Sequence, residues 1–510
     1  MGRAVALRAF LGSRLVALVL VVAACGGAAT PAVTPGPLGG AANAPSAGSP
    51  ATPRPSWPAA RAANASAAPS PAASRPVAPT ASRPASQPAT PLASATAADW
   101  PVYHRNAART GYDPGFPAPG TLTRAWSANL DGAVYGQPIV VGGRIFAATE
   151  NDTVYALDPA SGAILWQHHL GTPVPLSTLP CGNIDPLGIT STMAYDPATG
   201  SIFASAELAG PKHTLFALDP ATGTVRWSRS LDLVDDTPQT LQQRGALAVG
   251  NGYVYTGFGG LAGDCGQYSG KVIGIPTDGT GPLVTYRVPV AREGAIWSPG
   301  GPVIDAGGNV YVSVGNGSST TTYDGSDSVL KLSPALQLKS RFTPSRWRTD
   351  NARDLDLGSL SPVLVPGGWV FIAGKAAIGY VLRQNELGGI GGQVSSKTVC
   401  KTFGGAAQIG AVLFIPCTTG IKRVSIRANG SISLGWHTSS GANGPPVVGN
   451  GTVWSLALNS GQLNALSTSS GAVRAHIAVG TVPHFASPTL WNGLVLVGTM
   501  HGVVAVRVGP

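Results

Sequence analysis

Few residues in this chain have the type and spacing that chemistry needs. Five are cysteines, at 25, 181, 265, 400 and 417. Cys400 and Cys417 flank one candidate hairpin and make the first pairing; Cys181 and Cys265 pair by elimination, linking irregular insertions of neighbouring repeats. An even count in an exported domain favours disulfides. A thiolate metal centre is the rival, but no Cys-x-x-Cys spacing and no suitably placed His supports it, so no metal site is expected. His168 and His169 are adjacent on a strand, which sends their rings to opposite faces. Tyr323-Asp324-Gly325-Ser326-Asp327-Ser328 could offer Ca²⁺ an oxygen or two, but it lacks the spacing of a dedicated loop and reads first as a polar turn. Ser161, Ser298, Ser326 and Ser361 all lack the Gly-x-Ser-x-Gly setting of a nucleophile elbow. A polysaccharide hydrolase would need a pair of carboxylates at a channel mouth, and no such pair stands out.

Cys25 carries a different message. It ends the apolar run Leu15-Val16-Ala17-Leu18-Val19-Leu20-Val21-Val22-Ala23-Ala24, with Arg3, Arg8 and Arg14 upstream. A positive head, a short apolar stretch and a small-residue cleavage site make a secretory signal; a membrane span needs roughly 20 apolar residues. Val22-Ala23-Ala24-Cys25 resembles a bacterial lipobox, which implies acylation of the Cys25 thiol and a stable hold on a membrane surface. From residue 28 to about 98 the chain is nearly all Ala, Pro, Ser, Thr and Gly. Such a segment cannot bury enough apolar surface to offset its ordering entropy. It reads as a flexible tether with a fully extended reach on the order of 200 Å. The organisation expected is a signal peptide over 1–24, a tether over 25–98 and a folded domain over 99–510.

Charge excludes one class of function. The net charge is +10, but residues 1–98 hold seven Arg and no Asp or Glu, so 26 basic and 23 acidic residues remain in the folded part. A net of +3 without a basic patch does not suit nucleic acid.

The elements come from a repeat. Ala156-Leu157-Asp158-Pro159-Ala160-Ser161-Gly162-Ala163-Ile164-Leu165-Trp166 recurs as Ala217-Leu218-Asp219-Pro220-Ala221-Thr222-Gly223-Thr224-Val225-Arg226-Trp227. A weaker echo runs from Ala465 to Arg474, with Ala475 where Trp would stand. Each copy reads as strand, tight turn, strand, with Asp-Pro and Gly supplying the turn dihedrals and Trp placed to cover a neighbouring sheet. Apolar hairpins with Gly or Asn turns precede the copies, as in residues 138–147, 247–255, 302–312, 446–454 and 488–497. With less regular ones near 194–206, 361–373 and 407–416 they number eight, spaced by roughly 50 residues, which indicates an all-β, eight-bladed β-propeller of four-stranded antiparallel blades. The last blade lacks its outer strand. Leu122-Thr123-Arg124-Ala125-Trp126-Ser127 is spare and fills that place, closing the ring without a long free edge.

These units resemble the repeats of pyrroloquinoline-quinone (PQQ)-type propellers, and Trp100-Pro101-Val102-Tyr103-His104-Arg105-Asn106-Ala107-Ala108-Arg109-Thr110-Gly111 resembles the lead-in of the same proteins. The resemblance covers about 99–510. It implies the fold and two functions: PQQ dehydrogenation, or the non-catalytic role of the propeller lipoprotein in outer-membrane barrel assembly. If a cofactor binds, the resemblance makes Asn316, in Val314-Gly315-Asn316-Gly317, a candidate cation ligand. Trp297 belongs to the same cofactor site, and Asp354 or Asp356 is the candidate base. The family's adjacent Cys-Cys pair is absent, and Glu293 is the sole carboxylate near Trp297.

The expectation is therefore a lipid-anchored, extracytoplasmic, monomeric propeller that binds or scaffolds an envelope protein or glycan, without catalysis and without a cofactor. The alternative is a PQQ- and Ca²⁺-dependent dehydrogenase of an alcohol or sugar.

Overall fold

The computed structural model describes residues 99–509. The expected signal peptide, Cys25 and the tether lie outside the described residues. Eight antiparallel sheets follow one another along the chain. Their inner strands are Ile139–Val141, Ala194–Asp196, Ala248–Gly250, Val303–Ile304, Val363–Val365, Ala407–Ile409, Val447–Gly449 and Thr489–Trp491, which number blades 1 to 8. Each blade has four strands, and Leu122–Asn129 supplies the outer strand of blade 8 by antiparallel pairing with Gly502–Val508, as expected. The ring is an eight-bladed β-propeller.

The repeat owes its residues to the contact between blades. In each Asp-Pro copy the aspartate caps its own turn: Asp158 Oδ1 accepts from the Ala160 and Ser161 amides at 3.1 and 2.9 Å, and Asp219 Oδ1 accepts from the Ala221 and Thr222 amides at 2.8 and 3.1 Å. The tryptophan reaches forward to the next blade. The Trp166 ring lies on Gly223, where a β carbon would meet Cε3 at 2.5 Å, and its indole donates to Pro220 O at 3.1 Å. Trp126 does the same at Gly162 and Pro159 O; Trp436 does it at Gly471 and Thr468 O. The weaker echo thus keeps the glycine that receives a ring although it has no Trp of its own. Alternate residues of the middle strands fill the wedges between blades: Phe203, Leu215 and Ala217 of blade 2 face Val254, Phe258 and Ile273 of blade 3.

The lead-in closes one end of the central channel. Trp100 exchanges two backbone bonds with Val140 of blade 1, and Pro101 O accepts from Tyr195 of blade 2. Arg109, fully enclosed, donates to Tyr103 O, to Leu247 O of blade 3 and to Pro302 O of blade 4, at 3.0, 2.8 and 3.3 Å. Buried His104 reaches Ala406 O of blade 6 and Ser487 Oγ of blade 8, and Tyr112–Asp113 pairs with the inner strand of blade 7. Burial depresses the His104 imidazole to about 3 and keeps it neutral. Each inner strand runs from the opposite end of the channel toward this plug. The connections between blades, and the loops between second and third strands, therefore gather at the open end.

Candidate functional site

A cavity of about 390 Å³ opens at that end. Its floor is an aromatic cluster, of which Trp297 and Phe485 line the cavity itself. Trp297, Phe403 and Phe485 come from three different inter-blade connections, and their ring centroids lie 6.1–6.2 Å from one another. A cation stands over each ring: Lys375 Nζ at 5.9 Å from Trp297, Lys401 Nζ at 5.6 Å from Phe403 and the Arg244 guanidinium at 5.7 Å from Phe485. Arg244 donates only to the amide oxygens of Gln242 and Asn183, at 3.3 and 3.4 Å. Among the described residues no carboxylate forms an ion pair with it. Burial lowers its pKa, against the pull of Glu150, Tyr135 and Glu207.

The wall is built from blades 4 and 5. The second strand of blade 4, Val310–Ser313, ends just before Val314-Gly315-Asn316-Gly317. Asn316 N donates to Asp356 Oδ1 at 2.6 Å, and Asn316 Nδ2 donates to Glu293 Oε2 at 3.3 Å. Residue 315 has to be glycine, because a β carbon there would collide with the Asp356 carboxylate. Lys375 follows the second strand of blade 5, Trp369–Ala373, in the position that Asn316 holds one blade earlier. Its ammonium bridges Asp354 Oδ1 at 2.6 Å and Asp356 Oδ2 at 2.7 Å. Desolvation would lower the lysine, but the two carboxylates outweigh it and raise its pKa. Desolvation raises Asp356 despite Lys375 and the Asn316 amide, and it raises Glu293 despite Arg292.

The candidates named from sequence thus fall together: Trp297, Asn316, Asp354 and Asp356 line one cavity. Asp356 is 6% exposed at its side chain, against 65% for Asp354. Sequence reasoning missed Arg244, Lys375, Phe403 and Phe485. Superposing the blades in sequence, so that residues just before each inner strand and just after each second strand align, would have shown them. Both expected disulfides form, Cys181–Cys265 and Cys400–Cys417, with Cα separations of 6.0 and 5.6 Å. Ser298 and Ser361 bond each other at 2.8 Å beside the channel, and Asp324 Oδ1 caps its own turn through Ser326. Among the described residues no group of three or more His, Cys, Asp or Glu is placed to hold a metal by itself.

Comparison with known proteins bears on this cavity. A family model described as "Outer membrane protein assembly factor BamB" matches residues 120–232 and 198–383, together just over half of the chain. The polyvinylalcohol dehydrogenase of Sphingopyxis sp. (strain 113P3) is 25% identical over 236 residues, 41% of this chain and 33% of that protein. The dehydrogenase subunit of the quinone alcohol dehydrogenase of Gluconobacter oxydans (strain 621H) is 26% identical over 265 residues, 43% of this chain and 33% of that protein. The chain spans about a third of the length of these curated relatives. Among solved structures, a europium-containing methanol dehydrogenase superposes with TM-score 0.63 at 16% identity, over 81% of this chain and 98% of that one. BamB from Moraxella catarrhalis superposes with TM-score 0.51 at 14% identity, over 76% of this chain and all of that one. At these identities the superpositions speak to the fold.

Two expectations are corrected. The non-catalytic scaffold is not the reading the comparisons favour: the curated relatives are named as a polyvinylalcohol dehydrogenase and a quinone alcohol dehydrogenase. The expected absence of a cofactor is overturned likewise as the favoured reading: one of these relatives is named as a quinone enzyme. The sequence misled physically: the cations and rings that make a ligand cavity are spread over 242 positions, from Arg244 to Phe485, in connections that share no motif.

Proposed function

We propose that this chain, which belongs to the PQQ-repeat propeller family of that outer-membrane description, oxidises an alcohol with PQQ held in the cavity around Trp297 and Asn316. The observation that carries the proposal is the donor set of the cavity. PQQ is a flat ring system bearing three carboxylates and an ortho-quinone. It asks for aromatic faces, cations and a polarising hard cation. Trp297 and Phe485 offer the faces, Arg244 and Lys375 the cations. Asn316 Oδ1 and Glu293 are oxygen donors of the kind that would hold Ca²⁺.

When bound, the quinone would accept the hydrogen of the alcohol carbon together with its two electrons. The chain's own residues do the rest. Asp356 takes the hydroxyl proton: it is enclosed and held by two donors, and its pKa is lifted toward the range where a base works. Lys375 keeps Asp356 ionised and oriented, and Asp354, mostly exposed, holds Lys375. The setting is extracytoplasmic, and no helix among the described residues is long and apolar enough to cross a membrane. Attachment through a lipidated Cys25 belongs to the proposal, and a pull-down from the native envelope would test for a partner.

The test is titration of the purified protein with PQQ and CaCl2, followed by dye reduction with polyvinyl alcohol and short primary and secondary alcohols. A saturable quench of tryptophan fluorescence and alcohol-dependent dye reduction are expected. Asp356→Asn should still bind PQQ while losing about 10²–10⁴-fold in turnover. No bound quinone at saturating PQQ and Ca²⁺ overturns the proposal.

A further inference from the structure

Both disulfides lie at the open end of the channel: Cys181–Cys265 ties down segments that line the cavity, and Cys400–Cys417 ties the connection whose Phe403 ring packs beside the lining residues Trp297 and Phe485. Cys181 sits in the connection from blade 1 to blade 2, which gives Asn183 to the cavity; Cys265 sits in the loop between the second and third strands of blade 3, which gives Gly260 to Asp264 and Tyr268. The bond crosses over the end of blade 2. Gly263 lies against it, with its would-be β carbon 3.4 Å from Cys181 Sγ. Around Leu261 the apolar support of this wall is a satellite cluster with Val174, Ile184 and Leu187, while Tyr268 anchors the other end of the loop in the core between blades 2 and 3. Its polar support is Arg292, which donates to the Asp264 and Gly266 carbonyls, a Tyr268–Asp264 hydrogen bond of 2.5 Å, Thr240 Oγ1 donating to Gln267 O at 3.0 Å and Glu293 N donating to Tyr268 O at 2.9 Å. Cys400–Cys417 acts on the floor. It joins the Phe403 connection to the end of a blade 6 strand, where Thr402 Oγ1 also donates to Pro416 O at 2.7 Å.

We propose that the two disulfides are positioning elements of the cavity: oxidised, they hold its wall and floor in the shape that binds a ligand, and reduced, they release these segments while the blades stay folded. The physical ground is the difference in what holds each part. The blades are held by long backbone ladders and inter-blade cores, to which the disulfides add only Cys400 at the edge of one core and Cys417 at a strand end; the segment around Leu261 has a small core and a covalent tie. Cys181 and Cys265 carry the larger effect, because the wall has the thinner support.

The ligand readout of the test rests on the PQQ reading; the exchange readout does not. Amide hydrogen exchange and PQQ affinity are measured at 25 °C on three forms: the oxidised protein, the folded protein reduced with a phosphine, and the Cys181→Ser/Cys265→Ser double variant. Exchange at 260–268 should rise by at least about tenfold with the blade strands unchanged, and PQQ affinity should weaken by a similar factor. Reduction of the folded protein decides the matter if the variant fails to fold. Unchanged exchange at 260–268, or a rise shared equally by the blade strands, overturns the proposal. If oxidised protein binds no PQQ, the functional reading falls, and the exchange pattern still judges the disulfides.

Discussion

Arg244 is the residue on which ligand charge should register most plainly. It is half-buried, among the described residues it donates only to amide oxygens, and it lines the cavity. Arg244→Gln should weaken PQQ binding by about 10–100-fold, in line with one charge-assisted hydrogen bond pair. A PQQ triester should bind both proteins alike; equal losses for acid and ester would deny Arg244 its partner. Below it, Glu150 shows how burial sets a protonation state. Desolvation pushes its carboxyl from 4.5 up to about 8, although Gly188 N and Thr190 Oγ1 donate to it. The folded form then holds a proton that the unfolded chain has lost between those values. Stability from this group is full below about 4.5 and falls as pH rises through 8, by up to about 1.4 kcal/mol per pH unit. Denaturation midpoints at pH 6 and 8.5 should differ for wild type and differ less for Glu150→Gln. An identical drop in both would locate the effect elsewhere.

At the scale of the element, the Trp-on-Gly contact is the joint between blades. Gly223 has φ +74°, and a β carbon there would press into the Trp166 ring. Gly143 has the same φ with nothing within 4 Å of its would-be β carbon, which makes it the control. Gly143→Ala should cost about 1–2 kcal/mol, the price of a left-handed backbone alone. Gly223→Ala should cost about 2–4 kcal/mol, because overpacking adds to it. Equal losses would show that the ring moves aside freely. These joints were legible early: Asp-Pro, Gly and Trp at fixed offsets imply turn, positive φ and a covering ring. Their direction was not, since which blade a ring covers depends on the strand twist between neighbours.

Over the whole molecule, the lead-in is what ties non-adjacent blades together. Arg109 alone satisfies carbonyls of the lead-in and of blades 3 and 4. Arg109→Met keeps volume and removes the donors, leaving three buried acceptors unpaired at about 1 kcal/mol or more each. A fall of about 3 kcal/mol or more in unfolding free energy is expected, and a fall below 1 kcal/mol would mean that water replaces the guanidinium at little cost.

The amino-acid sequence by itself determined the repeat, the eight blades, the closure by the Leu122 strand and the cysteine pairing. Each follows from local turn chemistry, strand periodicity or simple counting. It also placed Trp297, Asn316 and Asp356 as candidates, through a resemblance rather than a mechanism. Tertiary structure alone decided that these three share a cavity with Lys375, Arg244 and Phe485, with Glu293 bonded to Asn316 behind it, that the lead-in plugs the other end, and that both disulfides flank the opening. The physical reason is ring closure. It brings the start of every inner strand to one circle, so Asn183 and Phe485, 302 positions apart, line one cavity, and only the alignment of one blade on another signals it.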